Sequence, residues 1–292
     1  MISSGCKINL GLQITGRRPD GYHELRTVFY PLDHPRDELE FEKLAVPGLE
    51  IVCDDPEIRP EKNTIFRAWQ AFGAFCRPNF GIRATLRKGI PKEAGLGGGS
   101  GDAAAFLLWL NEACGQPLDA ARLNEAALFA GADVPFFLTP RPSLASGAGE
   151  FTEPVRFMGE GLFILLVCPP FGVSTAWAFA RYDELREKTY PENCLTNIFD
   201  KDKGNSLSCA ALKNCLADCG LQNDLEAAVF PRYPELAEIK NALLRLGALA
   251  AGMSGSGSSI FGIFADEGAG KQVKGAMRNA GRLYFSAMRN YC

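Results

Sequence analysis

Residues 91–101 read Pro91-Lys92-Glu93-Ala94-Gly95-Leu96-Gly97-Gly98-Gly99-Ser100-Gly101, and an Ala/Leu-rich segment follows at once. Four glycines in five positions leave the backbone free of Cβ atoms, so several amide N–H groups can turn toward one point. The pattern predicts a helix from about Gly101 to Ala113. Its N-terminus adds unpaired donors and the positive end of a helix dipole. A loop built this way holds an anion, and phosphate fits it best. Ser100 is placed to offer a hydroxyl to a phosphate oxygen or to a metal ion on it. An ordinary strand-to-helix connection needs only one or two glycines.

Two familiar glycine motifs are excluded. A Walker loop ends in Gly-Lys-Ser/Thr, and no lysine follows these glycines. A dinucleotide fingerprint can be forced onto Gly99, Gly101 and Ala104, but that sets it inside the helix with no strand after it to carry a ribose-binding acid.

The remaining chain is read around this loop. Ile8, Leu10, Leu12 and Ile14 alternate as a half-buried strand that runs into the turn Gly16-Arg17-Arg18-Pro19-Asp20-Gly21. Leu39/Phe41 and Leu49/Ile51 continue a strand-rich opening. Asn63 caps a helix running to Cys76, and Ile82, Ala84 and Leu86 form a strand ending at Lys88. A second helix spans 119–130, short strands flank Gly147-Ala148-Gly149, and Phe163–Cys168 reads as a buried central strand. Residues 185–206 read as a long surface excursion. Helices near 207–219, 223–229 and 234–246, a strand at Ser259–Ala265 and a last helix–strand pair complete an α+β chain of two-domain length.

Composition narrows the function classes. The 292 residues carry 31 basic and 34 acidic side chains without a cationic block, which argues against a nucleic-acid partner. No apolar run, Phe163–Cys168 included, approaches the ~20 residues of a membrane span. The opening MISSGCKINLGLQ has no export pattern, so a cytoplasmic protein with reduced thiols is expected. Cys194, Cys209, Cys215 and Cys219 lack a C-x-x-C knuckle and read as packing residues rather than zinc ligands.

Three further stretches offer chemistry. Lys7 on the first strand is either a solvated cation or a charge held at a site. Tyr22-His23 reads as ordinary surface or core residues, or as a stacking platform beside a base-reading group. Asp133, alone in the apolar run Ala130–Phe137, is either a turn cap or a carboxylate able to orient and deprotonate a hydroxyl. The loop Met253-Ser254-Gly255-Ser256-Gly257-Ser258 is a second cluster of backbone donors.

Taken in order, the lysine-bearing first strand, the Gly95–Ser100 loop and the late Ser-Gly-Ser-Gly loop resemble the GHMP small-molecule kinase superfamily. Lys7-Ile-Asn-Leu10, Ile14-Thr-Gly-Arg-Arg-Pro-Asp-Gly-Tyr-His23, Gly131-Ala-Asp-Val-Pro-Phe-Phe137 and Asn223-Asp-Leu-Glu226 are similar to the branch that phosphorylates the methylerythritol unit of a cytidyl diphosphate substrate. The likeness spans about residues 6–265. It implies a two-domain GHMP kinase fold, with a ribosomal-S5-like domain over 1–157, a ferredoxin-like domain over 158–292 and the active site between them. It also implies transfer of the γ-phosphoryl of ATP, with Mg²⁺, to a 2-hydroxyl on the non-mevalonate route to isoprenoid precursors.

The resemblance assigns roles residue by residue. Asp133 is the base on the substrate hydroxyl, and Lys7 beside it favours the ionised carboxylate and stabilises the attacking oxygen. Asn9 binds the erythritol or phosphate side of the substrate. Tyr22 and Phe179 sandwich the cytosine, and His23 bonds its edge. Pro91, Lys92, Glu93, Ala94, Gly95, Leu96, Gly97, Gly98, Gly99, Ser100 and Gly101 cradle the ATP phosphates, with Asn63 and Lys88 near the nucleoside. Ser256 and Gly257 close the phosphate pocket. Gly101 and Asp102 depart from the family's frequent Ser-Asn, which removes a hydroxyl. Asp102 then reads as a contact to Mg²⁺ or as a helix-terminal acid favoured by the dipole. The alternatives are another GHMP kinase, acting on mevalonate, homoserine or a sugar, and a non-catalytic nucleotide-binding regulator. Tyr22-His23 argues against the first, and retention of both Lys7 and Asp133 against the second.

Overall fold

A computed structural model describes residues 1–185, 206–207 and 221–291. The helix predicted near 207–219, nearly all of the predicted surface excursion, and Cys194, Cys209, Cys215 and Cys219 lie outside these residues. The chain divides into two compact units, neither continuous in sequence. Unit 1 comprises Met1–Lys7, Pro31–Ile90 and Gly97–Pro140; unit 2 comprises Ile8–Tyr30, Pro91–Leu96 and Arg141–Cys292. Strands β1 (Ile2–Arg17) and β2 (His23–Leu44) contribute to both.

In unit 1, the later part of β2 pairs antiparallel with β4 (Gly81–Arg87), and β4 pairs parallel with β3 (Gly48–Cys53). The parallel pair needs a crossover. It is supplied by α1 (Thr64–Gly73), capped as predicted by the Asn63 side chain, which accepts from the Ile65 amide at 3.0 Å. Helices α2 (Gly98–Ala113), α3 (Ala120–Ala130) and α4 (Val134–Leu138) follow. Ile65, Phe72, Leu39, Leu86 and Phe106 are fully buried core residues of this unit.

Helix α2 begins three residues before the predicted Gly101. Gly97 caps it at φ +70°, and the amides of Ser100 and Gly101 both donate to the Gly97 carbonyl at 3.0 Å. Gly98 and Gly99 are therefore part of the helix, in its first turn, while Gly95 and Gly97 precede it.

In unit 2, the early part of β2 pairs with β5 (Ser143–Gly147), and β5 with β6 (Phe151–Pro154), around the predicted Gly147–Gly149 turn. Strand β7 (Arg156–Met158) pairs with β9 (Ser206–Leu207) and with β13 (Asn290–Tyr291). A four-stranded antiparallel sheet has the order β10 (Ala250–Met253), β11 (Ile260–Phe264), β8 (Phe163–Cys168), β12 (Arg282–Ala287). Helix α5 (Thr175–Leu185) follows β8, and after α6 (Glu226–Val229) come α7 (Pro234–Arg245) before β10 and α8 (Glu267–Ala276) before β12. Counting β8, α7, β10, β11, α8 and β12, this is the split β-α-β ferredoxin-like arrangement. Its core joins Leu165, Val167, Ile260, Phe264, Leu236 and Leu243 with Leu12 and Ile14 of β1.

Among the described cysteines, Cys6 and Cys168 are buried. Burial pushes the Cys168 thiol up to about 11, which suits packing rather than reactivity.

Candidate active site

Unit 1 holds the predicted catalytic pair. Lys7, 5% exposed, is no solvated cation: its Nζ lies 3.5 Å from Asp133 Oδ2. Asp133 occupies the N-cap of α4, yet its side chain caps nothing. The carboxylate, 29% exposed, is turned to the lysine instead. The start of α2 is drawn in beside them. A Cβ on Gly97 would come within 3.0 Å of the Phe137 ring and 3.3 Å of Lys7 Cε, so only glycine satisfies both the left-handed φ and the space. Ion pair, aromatic wall and helix N-terminus thus meet at one point. The amides of Gly98 and Gly99 precede the first intrahelical bonds and are free to receive an anion.

Lys88 is held in a second cluster. Its Nζ donates to Asp102 Oδ2 at 2.7 Å and to Asp37 Oδ2. Asp37 Oδ1 also accepts from the amides of Gly89 at 2.7 Å and Ile90 at 2.8 Å. Burial works against the Lys88 charge, but Asp102 and Asp37 outweigh it and hold the ammonium above the ordinary lysine value. Burial pushes Asp102 up to about 7, with Lys88 opposing and Asp37 reinforcing the shift. Asp102 is thus neither a bare helix-terminal acid nor turned to an open metal position; it is part of a buried ion cluster. Asn63 spends its side-chain oxygen on the α1 cap, and the next residue, Thr64, donates its hydroxyl to the Gly99 carbonyl.

In unit 2, the segment Pro91–Leu96 is bound by the Gly/Ser loop after β10. The Glu93 carbonyl accepts from the Val173 amide at 2.9 Å and the Ser258 amide at 3.2 Å. The Ala94 carbonyl accepts from the Ser259 amide at 3.2 Å. Ser254 Oγ donates to the Gly95 carbonyl at 2.9 Å, and a Cβ on Gly95 would sit 1.9 Å from the Ser254 carbonyl oxygen. The predicted Ser256 shares a hydrogen bond with Thr175 at 2.8 Å, and Gly257 follows it at φ +85°. Asn9 belongs to the same network. Its amide donates to Ser254 Oγ at 3.2 Å and its side chain to Thr27 at 3.0 Å.

The Asn223-Asp-Leu-Glu226 stretch explains how that loop is held. The Asn223 amide group donates to the carbonyls of Met253 at 2.8 Å and Gly255 at 2.7 Å. Asp224 accepts from the Ile14 amide at 2.8 Å, and Glu226 from the Met253 amide at 3.0 Å. Burial raises the Glu226 carboxyl above its ordinary value, with Lys240 at 2.6 Å pulling the other way.

Of the predicted base-recognition residues, two come together. His23 stacks on Phe179 with ring centroids 4.8 Å apart and planes 24° from parallel. Tyr22 lies outside that stack and is 64% exposed, at the end of a turn closed by Gly21 at φ +89°. Sequence reasoning missed Asp37, Thr27 and Asp183. None sits in a glycine-rich or apolar context that would single it out, and each is recognised only through its partner.

The family model "GHMP kinases N terminal domain" matches residues 63–140, and "GHMP kinases C terminal" matches 208–283. A curated 4-diphosphocytidyl-2-C-methyl-D-erythritol kinase of Nitratidesulfovibrio vulgaris (strain DP4) is 44% identical over 279 residues, 94% of each chain. A namesake from Bacteroides fragilis (strain YCH46) is 40% identical, covering 90% of this chain and 91% of its own. Among solved structures, a 4-(cytidine 5'-diphospho)-2C-methyl-D-erythritol kinase superposes with a TM-score of 0.78 at 32% identity, covering 97% of both chains. A homoserine kinase from Cytophaga hutchinsonii superposes at 0.73 with 19% identity, covering 99% of this chain and 95% of its own, a likeness of fold alone.

Proposed function

The chain belongs to the GHMP kinases and, within them, to the 4-diphosphocytidyl-2-C-methyl-D-erythritol kinases, and from that membership we propose that it transfers the γ-phosphoryl of ATP to the 2-hydroxyl of 4-diphosphocytidyl-2-C-methyl-D-erythritol. The observation that carries the reading is the Lys7–Asp133 pair at 3.5 Å beside the glycine turn that opens α2.

In the reaction, the 2-hydroxyl oxygen bonds to Pγ as the bond from Pγ to the β–γ bridging oxygen breaks, and ADP leaves. The hydroxyl proton passes to the Asp133 carboxylate. Lys7 opposes the negative charge developing on the attacking oxygen. Little else is asked of the protein, because phosphoryl transfer is accelerated mainly by positioning and by stabilising charge. The amides of Gly98 and Gly99 take the ATP phosphates, and the sequence 91–96 leads into that turn. Asn63 and Lys88 are assigned to the nucleoside; two of the three Lys88 N–H donors are already engaged by carboxylates.

Mg²⁺ would come with the nucleotide. It favours oxygen ligands, keeps several waters and is commonly held by substrate phosphates plus one or two protein oxygens. The Ser100 hydroxyl, in the first turn of α2, fits as such an oxygen. When bound, the ion neutralises charge on the transferring phosphates.

Asn9 is assigned to the erythritol or phosphate side of the substrate, and Ser256 and Gly257 to closing the phosphate pocket. Tyr22, His23 and Phe179 are assigned to the cytosine. The test is ADP release with four acceptors at equal concentration: the cytidyl diphosphate, mevalonate, homoserine and galactose. Turnover with the cytidyl substrate alone is the expected result. Preference for any of the other three overturns the reading.

A further inference from the structure

Helix α5 presents Phe179, Tyr182 and Asp183 at i, i+3 and i+4, on one face. All three close on one side chain. Phe179 covers a face of the His23 ring at 4.8 Å, Tyr182 meets it edge-on at 6.4 Å and 82°, and Asp183 Oδ1 lies 2.7 Å from Nε2. The His23 side chain is 10% exposed. On its other oxygen Asp183 receives Arg17, at the end of β1, at 3.3 Å. The imidazole is therefore fixed by a face, an edge and a nitrogen at once.

The chemistry of the third contact is directional. An ionised carboxylate only accepts hydrogen bonds, so Nε2 must carry the proton. In the neutral ring that leaves Nδ1 as a lone-pair acceptor. Rotating the ring by half a turn would carry Nε2 away from Asp183, so the carboxylate fixes both the tautomer and the orientation. A pyrimidine read at its 4-position then meets an acceptor. The 4-amino group of cytosine donates to it, whereas O4 of uracil would face it lone pair to lone pair.

We propose that Asp183 is a positioning residue for base selection: it locks His23 with Nδ1 as acceptor and so favours a cytidyl over a uridyl diphosphate substrate. This rests on the assignment of His23 to the base made above. Arg17 keeps the carboxylate turned toward the ring.

The chain has only two histidines, His23 and His34, so long-range ¹H–¹⁵N spectra of the ¹⁵N-labelled protein report the tautomer directly once H34Q has assigned the signals. The expected result is a protonated Nε2 and a bare Nδ1 in the wild type, averaged nitrogen shifts in Asp183→Ala, and the wild-type pattern in Asp183→Asn, whose amide oxygen still accepts. In kinetics, Asp183→Ala is expected to raise KM for the cytidyl substrate about tenfold, the worth of one lost hydrogen bond. Values of kcat and of KM for ATP should stay within about twofold. The ratio of kcat/KM for the cytidyl substrate over its uridyl analogue should fall by about the same tenfold, and Asp183→Asn should restore most of both. A protonated Nδ1 in the wild type, or an unchanged substrate ratio in Asp183→Ala, overturns the proposal. If the wild type releases no ADP with either nucleotide, the kinase reading and the base-selection role fall together, while the tautomer spectra separately decide whether Asp183 locks His23.

Discussion

Unit 1 contains two lysine–carboxylate clusters, and they have opposite characters. Lys7 faces Asp133 at 3.5 Å, and the carboxylate is 29% exposed beside the first turn of α2. Lys88 is wedged between Asp37 and Asp102, side chains 0% and 2% exposed. The first is a loose pair with one side open to a ligand. The second has two carboxylates for one ammonium, sealed from water, with two backbone amides also bound to Asp37. In the proposed reaction the open pair is the one that acts on the substrate, whereas the buried cluster spends both Asp37 oxygens and two of the three Lys88 N–H donors on holding the chain at Gly89 and Ile90.

The largest separation between the clusters is expected in rate. Asp133→Asn should lower kcat by about 10³-fold, within the range of a lost general base, and leave ATP affinity within a few-fold by nucleotide titration. Its melting temperature should barely move. Near-normal turnover would remove the base assignment and with it the contrast.

The reverse is expected for Asp37→Ala. Removing Asp37 leaves Lys88 to Asp102 alone and strands the amides of Gly89 and Ile90, at a cost of about 1–3 kcal/mol for each unsatisfied donor in denaturant unfolding. The folded fraction should retain kcat within a few-fold. A small stability change with a large loss of turnover would show that the sealed cluster acts on the substrate.

Asp102→Asn tests the sealed cluster by pH. The folded carboxyl titrates at about 7, raised from 3.8 by burial, so the native state holds a proton that the unfolded chain has released. Stability from this group is therefore full below about pH 4 and falls as pH rises toward and through 7. The asparagine variant lacks that slope. Thermal melts at pH 5 and pH 8 should differ less in the variant than in the wild type, by on the order of 1 kcal/mol or ~3 °C. An unchanged difference would mean that Asp102 is ionised throughout.

The smallest effect belongs to Tyr22→Ala, since Tyr22 is exposed and its loss touches neither cluster. It should raise KM for the cytidyl substrate about tenfold, the worth of one stacking face, with KM for ATP unchanged. Equal changes in both would end the stacking argument.

Much of the fold was legible because it depends on local pattern. The alternation of Ile8, Leu10, Leu12 and Ile14 fell on β1, the Asn63 cap fell on α1, and the Gly147–Gly149 turn fell on the β5–β6 hairpin. The strand is not half-buried as its alternation predicts: Lys7, Asn9 and Gln13 on its other face are buried as well, Lys7 against Asp133 and Asn9 against Thr27 and Ser254. The start of α2 was read late because glycines suggest a loop, whereas Gly98 and Gly99 here take helical conformation once Gly97 has turned the chain. At the site, glycine density and a solitary Asp133 were visible in one dimension. The burial of Lys7 was not, because the groups that meet it, Gly97 and Asp133, lie far along the chain. Asp37 and Asp183 gave no signal, since each has meaning only through a partner brought to it by folding.

The threading of β1, β2 and the glycine segment through both units bears on how the chain can be divided. A fragment ending at residue 157 would carry Leu12 and Ile14 without the Leu165, Val167 and Phe264 they pack against, and Gly95 without Ser254. The complementary fragment would lack one wall of its own core. A cut there divides one hydrophobic core and parts a hydrogen-bonded loop, so the sequence boundary at 157 is not a boundary of packing.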